Sequence, residues 1–83
     1  MYLLRENGGA SMRKIDMDRL GRRVAGKRAE HRLTQQQLAE KAQVTQRTVA
    51  MIELGERQGL SVGTLASIAA VLGVTMDYLV HGD

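Results

Sequence analysis

The chain has 83 residues, a formal net charge of +3, and 43% hydrophobic and 25% charged residues. That balance fits one small folded domain and excludes a disordered segment. The sequence has no Cys and only two His, at positions 31 and 81. Disulfides, thiol chemistry and thiolate metal sites are therefore excluded, and neither a metal nor a cofactor is expected. No apolar run approaches the roughly 18 residues of a membrane span. The N-terminal stretch also lacks the apolar run of a signal peptide, so a cytoplasmic protein with no membrane partner is expected.

The charge is unevenly distributed. Residues 13–32 hold eight basic side chains against three acidic ones, whereas residues 33–83 hold three basic against five acidic. A basic first third suits a polyanionic partner, although a solvated helix face would carry the same charges. There is no Trp or Phe, and the two Tyr lie at positions 2 and 78. Single strands are held largely by stacking bases on aromatic platforms. Two distant Tyr cannot build one, so if nucleic acid is the partner, duplex DNA is favoured.

Residues 1–12 show no sustained periodicity and include Gly8-Gly9. They read as a flexible arm in which Tyr2, Leu3 and Leu4 could dock, ahead of a single domain over 13–83. The first helix is expected from about 17 to 31, capped by Asp16, with Ile15, Leu20 and Val24 as a partial apolar stripe. Arg28 falls on or beside that stripe and needs a partner there. The second helix is expected over 35–42. Thr34 and Gln37 form a capping box, and Leu38, Ala39 and Ala42 face inward. The third runs over about 46–54 from an N-cap at Thr45 to a stop at Gly55, with Val49, Ile52 and Glu53 on the inner side.

After a loop from Glu56 to Leu60, Ser61 opens a fourth helix. Leu65, Ile68, Ala69 and Leu72 give it the clearest apolar stripe in the chain, and Gly73 closes it. Thr75 caps a short fifth helix with Met76, Leu79 and Val80 on its apolar side. No strand pattern and no internal repeat is present. The expected fold is an all-α, compact bundle of five short helices.

The informative stretch is 34–55, two capped helices joined by a short turn, with small Ala residues where the second approaches the first. That is the pattern of a helix-turn-helix. Once Val49, Ile52 and Glu53 point inward, helix 46–54 exposes Gln46, Arg47, part of Thr48, Ala50 and Met51. Gln can pair bidentately with adenine and Arg with guanine in the major groove, while Ala50 and Met51 offer at most apolar contact to a thymine methyl. Ordinary surface polarity would also place Gln46 and Arg47 there.

The chain resembles the phage repressor/Cro family, the Xre-type helix-turn-helix regulators with a lambda repressor-like DNA-binding domain. The resemblance rests on Arg28, Leu33-Thr34-Gln35, Leu38-Ala39-Glu40-Lys41-Ala42, Val44-Thr45, Ile52-Glu53-Leu54-Gly55 and the Leu65…Leu72-Gly73-Val74 tail. It covers about residues 17–80. The family often has Gly at the positions of Arg32 and Gln43, where φ tends to be positive. Local strain of about 1 kcal/mol is expected at each.

Helix-turn-helix docking geometry assigns base contacts to Gln46, Arg47, Ala50 and Met51. The resemblance points Gln35 at a phosphate. The other candidate phosphate contacts are Thr45, whose capping role would equally explain it, Thr48, and Arg57 and Gln58 in the loop after the third helix. The resemblance also implies an Arg28–Glu53 salt bridge that orients the recognition helix. The basic residues Arg22, Arg23 and Lys27 are assigned long-range attraction without contact.

One recognition helix reads only about four base pairs, so a homodimer on a palindromic operator is expected, with half-sites about 10 bp apart. Met76, Tyr78, Leu79 and Val80, with the arm, are the candidate interface. The fifth helix could equally serve only to close the monomer core. The expected function is a sequence-specific duplex-DNA-binding transcriptional regulator acting as a repressor. The alternative is an antitoxin or interaction module of the same fold that binds a toxin or other protein as well as its own promoter. An enzyme is not expected, because no nucleophile, phosphate loop or paired His is available.

Overall fold

The computed structural model describes residues 15–57 and 60–82. The arm residues Tyr2, Leu3 and Leu4, together with Gln58, lie outside the described residues. Five helices follow one another: α1 (Met17–Glu30), α2 (Gln35–Ala42), α3 (Gln46–Glu53), α4 (Val62–Leu72) and α5 (Met76–His81). They agree with the periodicity to within a residue or so at each end, and no strand occurs among the described residues.

Local chemistry sets each helix start. Asp16, Thr34, Thr45, Ser61 and Thr75 each accept a hydrogen bond from the backbone N–H three residues on. Each cap contributes about 1 kcal/mol. At α2 the capping box is complete, because Gln37 Oε1 also accepts from Thr34 N at 2.9 Å. Helices of six to eight residues are too short to stand alone. Their apolar faces must therefore be buried against one another.

The core comprises Ile15, Leu20 and Val24 below α1, Leu38, Ala39 and Ala42 of α2, Val49 and Ile52 of α3, Leu65, Ile68, Ala69 and Leu72 of α4, and Leu79 of α5. α2 and α3 pack on each other, α1 lies against α3, α2 against α4, and α1 closes on α5.

Two helix ends are closed by basic side chains from the α1 region. His31 Nε2 lies 2.7 Å from Leu72 O at the end of α4; a carbonyl only accepts, so the ring nitrogen is the donor. Arg23 Nη1 donates to Leu79 O and Val80 O of α5 at 2.9 and 3.0 Å. Arg23 is thus half-buried and structural, which corrects its assignment to long-range attraction. Lys27 is likewise engaged: it bonds Glu30 at 3.2 Å and lies 5.3 Å above the Tyr78 ring. Arg22 remains exposed.

A second correction concerns α5. Leu79 is 0% exposed and belongs to the monomer's own core, so it is unavailable to a partner. The short helix needs one deep anchor to stay attached, and Leu79 is that anchor.

The two anticipated positive-φ positions are Arg32 at 57° and Gln43 at 61°. Both end a helix where an L side chain is disfavoured by roughly 1–2 kcal/mol. Replacing Gln43 by Gly relieves that strain but loosens the unfolded chain by about 0.4–1 kcal/mol. The expected net result for Gln43→Gly is a gain of up to about 1 kcal/mol, visible as a raised melting temperature in thermal denaturation.

Candidate nucleic-acid interface

The turn between α2 and α3 is only three residues long, and its geometry comes from its backbone. Gln43 adopts the left-handed conformation. Val44 N then donates to Ala39 O at 3.0 Å, which turns the chain sharply before Thr45 starts α3. Ala39 and Ala42 are nearly fully buried, and their small side chains let α3 pack closely across α2. The first turn of α3 consequently projects from the body. Gln46 and Arg47 occupy that turn and both are exposed.

The other candidate contact residues are more constrained. Thr45 Oγ1 caps α3 by accepting from Thr48 N at 3.1 Å, and the two hydroxyls lie 2.9 Å apart. Thr45 is exposed and Thr48 half-buried, so Thr45 is better placed to meet a phosphate. Ala50 and Met51 are half-buried, one turn further back. Arg57 is exposed just after α3.

Behind this face lies a polar clasp. Arg28 Nε donates to Glu53 Oε2 at 2.6 Å and Arg28 Nη2 to Glu53 Oε1 at 2.9 Å. This is the parallel two-point geometry that suits a guanidinium and a carboxylate. Arg28 Nη1 also donates to Leu33 O at 2.8 Å, so one side chain fixes both the α1–α2 turn and α3. Gln35 Nε2 donates to Glu53 Oε1 at 2.9 Å, tying the start of α2 to the end of α3.

The Glu53 side chain is only 8% exposed and that of Arg28 21%. Hydrogen bonding to Glu53 holds the Arg28 guanidinium protonated more firmly than usual, against the opposing effect of burial. The pair's cationic half is therefore charged throughout the physiological range.

Gly21 is the positional residue that apolar-stripe counting passes over. It is buried in α1, and a Cβ there would run into the Ile52 carbonyl oxygen and come within 3.0 Å of Glu53 O. Any side chain would push α1 away from the end of α3 and stretch the clasp. The available clue is a Gly in a helix interior, three residues before Val24 and seven before Arg28 on the inward face, where Ala would favour the helix by about 1 kcal/mol. At the end of α3, Gly55 has φ 87°, and a Cβ there would meet the carboxylate of Asp18.

The comparisons with known proteins match this arrangement. The helix-turn-helix family model matches residues 25–79, well over half of the chain. The chain belongs to the Xre-type helix-turn-helix family of DNA-binding regulators. Among solved structures it is similar to a chain of the SinR protein/SinI protein complex, at 31% identity and a TM-score of 0.70. That match covers 75% of this chain and 60% of the other, so the present chain corresponds to little more than half of its structural relative. No curated protein matches.

In this helix-turn-helix protein the clasp is expected to be sensitive to mutation, because it holds a nearly buried charge. Arg28→Met strands a nearly buried carboxylate, a change that costs about 3–5 kcal/mol where burial is complete. Because Arg28 keeps some solvent contact, a loss of about 2–4 kcal/mol is expected. The Arg28→Met/Glu53→Leu double variant is expected to recover much of it, since no charge is then left unpaired. Urea denaturation of the two variants checks both values; an unchanged midpoint for Arg28→Met would contradict the role.

Proposed function

We propose that the protein regulates transcription by binding duplex DNA in a sequence-dependent manner, with α3 in the major groove. The observation that carries this reading is the exposed Gln46-Arg47 pair on the first turn of α3, held out by the Arg28–Glu53–Gln35 clasp. In helix-turn-helix docking the N-terminal residues of the second helix reach the base edges. Gln46 and Arg47 are therefore assigned the base contacts, with Ala50 and Met51 as apolar neighbours.

Phosphates are assigned to Gln35, Thr45, Thr48, Arg57 and Gln58. The capping box occupies the N–H groups of Thr34 and Gln37, leaving those of Gln35 and Gln36 directed at the positive end of α2, where an anion is favoured. The family supports a binding protein over an enzyme. No described helix is long and apolar enough to cross a membrane, and the DNA-binding reading carries with it a cytoplasmic location.

The reading includes repression from a palindromic operator by a homodimer, because a single α3 covers too few base pairs for a specific site. With Leu79 buried, the interface on α5 reduces to Met76, which is 39% exposed, and the outer edges of Tyr78 and Val80. Met76→Asp is expected to shift the sedimentation coefficient of the DNA-free or operator-bound protein from dimer to monomer. A wild-type chain that sediments as a monomer in both states would rule the dimer out.

A partner protein is the second reading. The matched solved structure is a complex of two proteins, and this chain leaves Leu54 74% exposed and Val62 60% exposed. An antitoxin or similar module that also binds its own promoter would use both properties.

Selection from a random duplex pool, followed by titration across salt concentrations, tests the main reading. Convergence on a palindrome and a steep fall of affinity with salt are expected. Arg47→Ala is expected to weaken binding by about 1–3 kcal/mol and to relax selection at one base pair per half-site. Absence of binding to any duplex at low salt would overturn the reading.

A further inference from the structure

Arg32 combines an exposed cation with a firmly held backbone. It lies in the turn between α1 and α2, in the left-handed region at φ 57°. Its N–H donates to Ala29 O at 2.9 Å. The next residue is held on both sides: Leu33 N donates to Arg28 O at 3.1 Å, and Leu33 O accepts from Arg28 Nη1 at 2.8 Å. The backbone beside Arg32 is thereby fastened to the guanidinium that grips Glu53 of α3. The Arg32 side chain itself is exposed. Among the described residues it has neither an ion pair nor a hydrogen bond, whereas Arg19, Lys27 and Arg28 each pair with a carboxylate and Arg23 with two carbonyls.

We propose that Arg32 is a further DNA-contacting residue, a cation that this chain brings to the duplex backbone from the turn ahead of α2. The inference rests on the DNA-binding reading above. In helix-turn-helix docking the first helix of the motif crosses the backbone while the second enters the groove; α2 is that first helix. Nothing inside the domain gains from the charge. Its backbone conformation disfavours an L side chain, and a cation ahead of α2 meets the positive end of that helix. Gly would avoid both costs. Gln43 shares the conformation without a charge, so it is the unpartnered cation, and not the strain, that points to a polyanion. Arg28 ties the turn to α3, so this cation and the base-reading residues are held in one rigid arrangement.

The test compares Arg32→Gly, Arg32→Gln and Arg32→Lys in the full chain, each titrated against a selected and a random duplex across salt concentrations. Arg32→Gly should move stability and binding in opposite directions. Its melting temperature is expected to hold or rise, because the strain at φ 57° is relieved. Its affinity for both duplexes is expected to fall by about three- to tenfold at low salt, the size of one charge-assisted contact. The slope of log affinity against log salt should become shallower by about 0.9 for each protomer bound. Arg32→Gln keeps the strain and loses the charge, so it should show the same loss and the same change of slope. Arg32→Lys should restore the wild-type slope.

An unchanged slope in Arg32→Gly and Arg32→Gln, beside a wild-type chain that binds DNA, would overturn the inference and leave the function reading standing. So would a loss confined to the selected duplex, since a backbone contact is blind to sequence. A loss of affinity that follows the melting temperature across the three variants would assign Arg32 to the fold instead. A wild-type chain that binds no duplex at low salt removes the function reading and this inference together.

Discussion

A carboxylate that is 92% withdrawn from water must be matched by a cation and by donors in the right places, and the clasp around Glu53 follows from that requirement. Arg28 satisfies both oxygens, and its remaining reach holds Leu33 O, so the turn before α2 is set by the same guanidinium. Gln35 completes the arrangement from α2. Three helices are thereby joined through one charged group. An apolar contact could have stabilised the same packing, but it would have tolerated sliding. Directional, charge-assisted bonds do not, and they make the angle of α3 a defined quantity.

The rest of the fold works to let those groups meet. Gly21 removes the side chain that would hold α1 off the end of α3. Gln43 accepts a strained conformation so that the turn into α3 can be short, and Ala39 and Ala42 keep α2 thin where α3 crosses it. At the other end, Arg23 and His31 close α5 and α4 onto α1. In a chain without Cys, where no disulfide can fasten short helices, capping and side-chain-to-carbonyl bonds carry that task.

Division of labour among the basic residues is sharper than the charge distribution suggests. Arg23, Lys27 and Arg28 are all consumed by internal bonds or ring contact. The face assigned to DNA therefore depends on few cations, with Arg47 at its centre. Under the proposed dimeric reading, such a face would offer limited direct reading of bases, and discrimination would lean on the spacing of two copies and on the deformability of the DNA between them.

The helices and their starts were legible in the sequence because capping and apolar periodicity are local. Thr34 and Gln37 are three residues apart, and Leu65, Ile68, Ala69 and Leu72 repeat at helical spacing. The same holds for positive φ at Arg32 and Gln43, which belongs to the turn itself. That Arg28 and Glu53 each face inward could also be counted from spacing, and the resemblance to repressor-type domains joined them.

Tertiary structure decided what distance along the chain conceals. Arg23 reaches a carbonyl 56 positions away and His31 one 41 positions away, so neither could be told from a solvent-facing polar side chain by its neighbours. Leu79, counted on the apolar side of a short helix as a candidate for an interface or for the monomer core, is the residue that seats that helix in the core. Gln35 carries an expected phosphate contact in the sequence, and its bond to Glu53 appears only on folding. Local order is written in steps of three and four residues. Which polar groups satisfy one another is settled only when the helices pack.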